Sequence, residues 1–365
     1  MIAPGKYFPV FMSSVALLLL SVLVSACSAP SYYVQAISGQ WKMMRARQDT
    51  RSLLADPDTS PALASQLETA RQIIEFAETS LDLPANGSYA SYVQLDNDAI
   101  AWNVVATEEF SLQPKKWCFP VAGCLPYRGF FKQAKAENSA AKLAKKGMDV
   151  FVSPAPAYST LGKLNDPLLS TMFAGSNVQL AAYLFHELAH QRLYIKNDGR
   201  FNENYAGFVE TAGVKAWLKA RQQQDELAQW ERLNLVEDDF SGLINQTRDE
   251  LTTLYAQDNS DTYMRRQKAD TLLGLKDRYK KMLAERWQGH DYYASWFEKP
   301  VNNARLSLFS TYEGGQCAFR NLMSQADGNI YKFHSLAEKQ AKLPKDEREK
   351  WLNQTCPVIA SASNL

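Results

Sequence analysis

Histidine is scarce in this chain: four residues among 365. Any site built on imidazole must draw on His186, His190, His290 and His334. Charge imbalance is missing too. Lysine plus arginine is 40 and aspartate plus glutamate is 39, a net charge of +1. The basic excess that accompanies nucleic-acid binding is absent, and no nucleic-acid partner is expected. No internal repeat or low-complexity segment stands out, so a repeat architecture is not expected. Cysteine is limited to five, and Cys118 and Cys124 are spaced too widely for the C-x₂₋₄-C of structural zinc sites. The apolar run at residues 15–24 is short for a stable membrane span. What remains is ordinary globular composition, 46% hydrophobic and 22% charged, enough for one large domain or two modest ones.

The beginning of the chain reads as a leader. Lys6 precedes the apolar run, and the small residues Ser25 and Ala26 stand before Cys27, the layout of a secretory signal peptide. Cysteine directly after Val24-Ser25-Ala26 resembles a bacterial lipobox. By that resemblance residues 1–26 are removed and Cys27 becomes the lipidated first residue, a membrane anchor. Ser28 in place of aspartate favours, on the same resemblance to Gram-negative lipoproteins, an outer-membrane location facing the periplasm. Loss of Lys6 leaves 39 basic against 39 acidic side chains. The other four cysteines, Cys118, Cys124, Cys317 and Cys356, are an even number in an exported chain and suggest disulfides. Cys118 and Cys124 flank a turn at 120–123, which leaves Cys317 with Cys356 to tie down the tail.

Apolar spacing predicts a helix over 31–55 and a second over 63–83, started by Pro61 and ended by the Pro84, Asn86 and Gly87 cluster. Residues 89–112 turn β-rich, with strands ending near Phe110. A helix follows over 130–146 with Gly147 behind it, then a strand at 149–152. Ser176 caps a central helix through Leu180, Leu184 and Tyr194, broken by Asn197-Asp198-Gly199. Asn202 or Asn204 begins the next. Beyond it the pattern is almost wholly helical, at about 224–256, 260–288, 302–325 and 328–341. The expected parts are a leader at 1–26, a mixed α/β stretch at 27–175 and a helical stretch at 176–365, the last two forming one continuous domain.

Inside the central helix lies His186-Glu187-Leu188-Ala189-His190, an HExxH pentad. Helical positions four apart differ by about 40° around the axis, so both imidazoles share a face. Together they can hold one Zn²⁺, with Glu187 placed as general base toward a water. A third protein ligand leaves the fourth position open, as catalytic zinc requires. Glu203 and Glu210 are the candidates. Glu210 has a spacing that resembles thermolysin's. Glu203 lies in Asn202-Glu203-Asn204-Tyr205-Ala206, which resembles the NExxA string of gluzincins. Local context favours Glu203 as ligand and leaves Glu210 to hold a histidine N–H.

The resemblance then extends over nearly all of the chain after the leader. Tyr32-Tyr33-Val34-Gln35-Ala36, Leu83-Pro84-Ala85-Asn86-Gly87-Ser88-Tyr89, Trp102-Asn103-Val104, the Trp117 to Cys124 string, Tyr127-Arg128-Gly129, Ala157-Tyr158-Ser159-Thr160-Leu161-Gly162, Asn302-Asn303-Ala304-Arg305-Leu306 and Thr311-Tyr312 resemble a bacterial family of predicted aminopeptidase lipoproteins. Cys317 departs from that family's pattern. The resemblance implies a zinc peptidase with His186, His190 and Glu203 as ligands and Glu187 as catalyst. The implied fold is α+β and mostly helical, zincin-like of the gluzincin kind, with a small sheet beside the HExxH helix and a helical C-terminal half. It implies peptide or unfolded-protein substrates, cleaved by an aminopeptidase. An endopeptidase for misfolded envelope proteins, or a non-catalytic envelope lipoprotein with a vestigial metal site, is the alternative. A donor for the oxyanion is expected from the helical half, Tyr312 first and His290 second. The 158–162 stretch is a candidate edge strand for a peptide. Glu108, Glu109 and Glu210 are candidates to hold a substrate ammonium.

Overall fold

The structure is a computed structural model that describes residues 28–119, 123–155, 160, 164–309 and 315–354. The chain divides between Arg47 and Gln48 into two compact units. The first contains helix α1 (Ser28–Arg45), whose Trp41 is 58% exposed and lies under the Arg45 guanidinium at 4.9 Å. No described helix is long and apolar enough to cross a membrane.

The second unit begins with β1 (Gln48–Asp49) and α2 (Thr50–Ala55). The helix expected over 31–55 is therefore two helices with a strand between them. Asp49 ends the strand and caps α2, accepting from the backbone N–H of Arg51 and Ser52 at 2.9 and 3.0 Å. Helix α3 (Pro61–Ser80) starts with Pro at its first turn behind a Ser60 cap and buries Leu67, Ala70, Ile73 and Ala77 on one stripe.

Three small sheets follow. β2 (Ser91–Val93) pairs antiparallel with β1. β3 (Ala101–Thr107) has Val104 to Thr107 buried in succession, as a strand covered on both faces should. β4 (Trp117–Phe119) and β5 (Gly123–Leu125) form a hairpin in which Cys118 stands opposite Cys124 and is disulfide-bonded to it, the pairing expected from sequence. Cys317 is also disulfide-bonded, and its expected partner Cys356 lies outside the described residues. β6 (Arg128–Phe130) pairs antiparallel with β3. Helix α4 (Gln133–Ala144) leads to β7 (Asp149–Ala155), which lies antiparallel along the other side of β3 in the register Val104 to Val152. β8 (Leu168–Leu169) pairs parallel with β2 and runs into a 3₁₀ turn (Ser170–Phe173) that packs on the next helix.

That helix is α5 (Asn177–Arg192), which carries the pentad. Ser176 and Gln179 form a reciprocal cap, Gln179 N–H to Ser176 Oγ at 3.2 Å and Ser176 N–H to Gln179 Oε1 at 2.9 Å. Leu180, Leu184, Phe185 and Leu188 are fully enclosed. α6 (Gly199–Ala220) packs along α5, and α3 packs on both. Gly213 permits the close approach: a Cβ there would meet the Phe185 ring at 2.9 Å. The helix begins earlier than Asn202, because Asp198 caps it through the Phe201 N–H at 3.2 Å.

The rest is helical, as expected: α7 (Gln224–Tyr255), α8 (Asp261–Glu285), α9 (Ala294–Glu298), α10 (Asn303–Phe309), α11 (Gln316–Gln325), α12 (Ile330–Ala341) and α13 (Lys345–Leu352). The α7 and α8 pair packs a second core of Phe240, Leu243, Ile244, Leu275, Tyr279 and Trp287. Within the expected helix over 302–325 the described helices are α10 and α11, with non-helical Gly315 directly before α11, and α13 stands where none was expected. α10 is pinned to the sheet by side-chain amides. Asn302 Nδ2 donates to Val150 O, and Asn303 Nδ2 to Glu109 O, both at 2.9 Å. The chain is thus α+β and mostly helical.

Candidate metal centre

The pentad sits on a helix that is apolar nearly all round, so its polar residues stand out as exceptions in a buried element. The His186 and His190 rings lie 4.9 Å apart, nearly perpendicular, on the face turned to α6. Glu203, in the second turn of α6, reaches both. Its Oε2 is 3.4 Å from His186 Nε2 and its Oε1 is 3.8 Å from His190 Nε2. One ligand atom from each of the three residues lies within 4.8 Å of the others.

Glu203 is held there by its neighbours in the sequence. Asn202 clips the loop between α5 and α6, accepting from Ile195 N–H and donating to Ile195 O, both at 2.8 Å. Asn204 is fully buried and faces the other way. It donates to Arg200 O and accepts the Gly315 N–H, both at 2.8 Å, so it ties α6 to the start of α11. The ligand between them therefore has a fixed backbone on each side.

Glu210, two turns further along α6, accepts or shares a proton with His186 Nδ1 at 3.0 Å. That bond fixes the tautomer and turns Nε2 toward Glu203, the outer support a ligating histidine requires. Electrostatics divides the two histidines. Burial works against charge on His186, but hydrogen bonds to Glu203 and Glu210 outweigh it and hold the ring well above the ordinary histidine value. Burial and the neighbouring His186 charge push His190 down to about 4. Burial would raise Glu203, yet the His186 hydrogen bond and both rings draw its carboxyl below the usual range. His190 is buried, and its Nδ1 has no hydrogen-bond partner among the described residues. A neutral buried imidazole, a second imidazole braced by a carboxylate and an anionic glutamate are a donor set that suits a divalent cation.

Glu187 lies next along the helix, about 100° around the axis from His186. Burial, with the charge of Glu187 adding to it, raises the phenols of Tyr183 and Tyr89 well above their ordinary value. Sequence reasoning missed both tyrosines. Tyr183 occupies a position that reads as part of the apolar period, and Tyr89 is far away in the chain.

Other expected residues are placed as follows. Tyr312 lies outside the described residues, as does nearly all of 158–162. Thr160 is described, and its N–H and hydroxyl bond the two oxygens of buried Asp166 at 2.8 and 2.7 Å. His290 is exposed, with its ring 6.1 Å from Tyr292. Glu109 is engaged by Arg265, which donates to both its oxygens at 2.7 and 2.9 Å, so it is already paired with a cation. Glu108 is exposed.

A family profile described as "Putative aminopeptidase" matches residues 31–352, most of the chain. No curated protein and no solved structure matches it.

Proposed function

The chain belongs to the putative aminopeptidase family, and from that premise we propose that it is a zinc-dependent peptidase acting through His186, Glu187, His190 and Glu203. The observation that carries the reading is the convergence of two imidazole Nε2 atoms and one carboxylate on a single point, with a second carboxylate one residue along the same helix. A structural metal site has no need of that second carboxylate. Zinc bound to the triad would supply a Lewis acid that polarises a scissile carbonyl and acidifies a water near neutral pH.

The chain's own residues do the rest. Glu187 takes the proton of the attacking water and delivers it to the leaving amine. Glu210 keeps His186 turned, and Asn202 and Asn204 keep Glu203 in place. Tyr312 is proposed as the donor that stabilises the oxyanion. The substrate is a peptide or unfolded protein, cleaved from its free amino end. In this reading residues 1–26 are a leader, Cys27 carries lipid, and the site faces the periplasm from the outer membrane, within a zincin-like domain formed by 27–175 and 176–365.

The test is zinc analysis of purified protein together with cleavage of a peptide library. Glu187→Gln is expected to retain zinc and lose about 10²- to 10⁴-fold in kcat. Equal turnover by wild type and Glu187→Gln would sink the reading. Peptides with blocked amino ends separate exopeptidase from endopeptidase: their turnover would assign the chain to the latter.

A further inference from the structure

Two arginines are buried among the described residues, and their surroundings differ. Arg348 meets the Asp198 carboxylate at 2.6 Å. Arg305, only 6% exposed, meets no carboxylate among the described residues. A buried charge without a counter-charge is costly. Arg305 lies on α10, where its N–H donates to Asn302 Oδ1 at 3.0 Å, while Asn302 Nδ2 holds Val150 O on β7. Its backbone is thus tied to the sheet. The side chain is held as well. Cζ lies 4.4 Å from the centre of the Trp296 ring and 4.9 Å from that of Phe151, and Nη1 donates to Lys299 O at 2.8 Å.

These contacts leave one edge of the guanidinium fork. Nε and Nη2 direct parallel N–H groups along that edge. Nε is enclosed and has no hydrogen-bond partner, and Nη2 makes no bond among the described residues. Lys299 brings a second cation. Its Nζ lies 5.9 Å from the centre of the same Phe151 ring. Its side chain is exposed and forms no ion pair among the described residues, although Glu298 directly precedes it. Two cations therefore converge on one phenyl ring with no acid matched to either. The rings offset part of the burial cost but give the Nε N–H no acceptor.

We propose that Arg305 and Lys299 form a carboxylate-binding site, the Nε and Nη2 edge of Arg305 taking the ligand's two oxygens and the Lys299 ammonium meeting it from the solvent side. A carboxylate is planar and offers two acceptor oxygens, the match for two parallel N–H groups. Phosphate sites draw on backbone N–H donors as well, and the Arg305 N–H is already taken by Asn302. Held between aromatic rings and the Lys299 carbonyl, the guanidinium is ordered before any ligand arrives, so little freedom is lost on binding. The ligand class is the carboxylate of a peptide, at its chain end or on an acidic side chain. The site shares no residue with His186, His190 and Glu203, so it stands apart from the zinc reading.

The test is a ligand-observed NMR titration of the full chain. N-acetylalanine presents a chain-end carboxylate and N-acetylglutamate α-amide a side-chain one, and the tighter of the two identifies the source. It should bind at roughly 1–10 mM, as expected of so small a ligand, and N-acetylalanine amide should not bind. Arg305→Gln should weaken binding about tenfold or more, the scale of a charge-assisted hydrogen bond. Lys299→Met, at an exposed position where folding is not at stake, should weaken it about 2- to 5-fold. Added zinc should change nothing. Equal binding of the amide, no binding of either carboxylate, or tighter binding of inorganic phosphate overturns the inference. So does an affinity that Lys299→Met leaves unchanged, or binding that appears only with zinc. Loss of zinc uptake or of peptide turnover bears on the peptidase reading alone.

Discussion

His186 meets a carboxylate through each ring nitrogen, Glu203 at Nε2 and Glu210 at Nδ1. Its raised pKa means that a cation entering the site must displace a proton from it. Zinc binding near pH 7 should therefore release about one proton, seen as a dependence of the calorimetric heat on the ionisation enthalpy of the buffer. The sign follows: affinity falls as pH drops below the raised His186 value, where the competing proton is held. Glu210→Gln removes the charged brace and should weaken zinc binding about 10- to 100-fold, measured against a chelator of known affinity. Unchanged affinity would show that His186 needs no such support. At this scale the grouping of His186, His190 and Glu203 was legible because HExxH fixes spacing on one helix and Asn202-Glu203-Asn204 is a local string. Tyr183 and Tyr89 were not legible. One hides in an apolar period, and the other is far away in the chain.

Elements were legible where periodicity ran long, as in α5, α7 and α8. They were missed where one tertiary contact decided the outcome. The break between α1 and α2 contains no proline or glycine. The two-residue strand β1 exists because Gln48 and Asp49 pair with Tyr92 and Ser91. Helix α13, with the sequence KDEREKWL, has almost no apolar stripe to read. It is held by Arg348, whose guanidinium reaches buried Asp198 at 2.6 and 2.8 Å, and by Trp351, which meets Phe201 and Phe319. Asp198 in turn caps α6, five residues before Glu203. Asp198→Ala deletes a helix cap and leaves Arg348 buried without its carboxylate, so it should cost at least about 3 kcal/mol. The urea midpoint reports this, and adding Arg348→Leu should recover part of the loss.

Within the second unit, the chain's last described elements close on the middle of the sequence. Arg200 bonds Glu349 at 2.7 Å, Arg192 pairs with Glu338, and His334 joins Tyr205 to Leu81 O at 2.8 and 2.9 Å. The helices that carry the candidate ligands are thus braced by residues more than a hundred positions away. Such bracing cannot be read from spacing, since nothing in a sequence orders distant partners. Deleting residues 342–365 should leave most helices folded but loosen α6. Amide exchange across 199–210 should rise and zinc affinity should fall, whereas unchanged exchange there would mean that α13 is dispensable.

Trp230 on α7 points its indole N–H toward Thr211 O at 3.4 Å, and Thr211 directly follows Glu210. An intrinsic fluorophore is therefore wired to the outer support of the candidate cation site. Occupation of the triad can be followed as a change in emitted light from the unlabelled protein. Trp230→Phe identifies which of the eight tryptophans carries the signal.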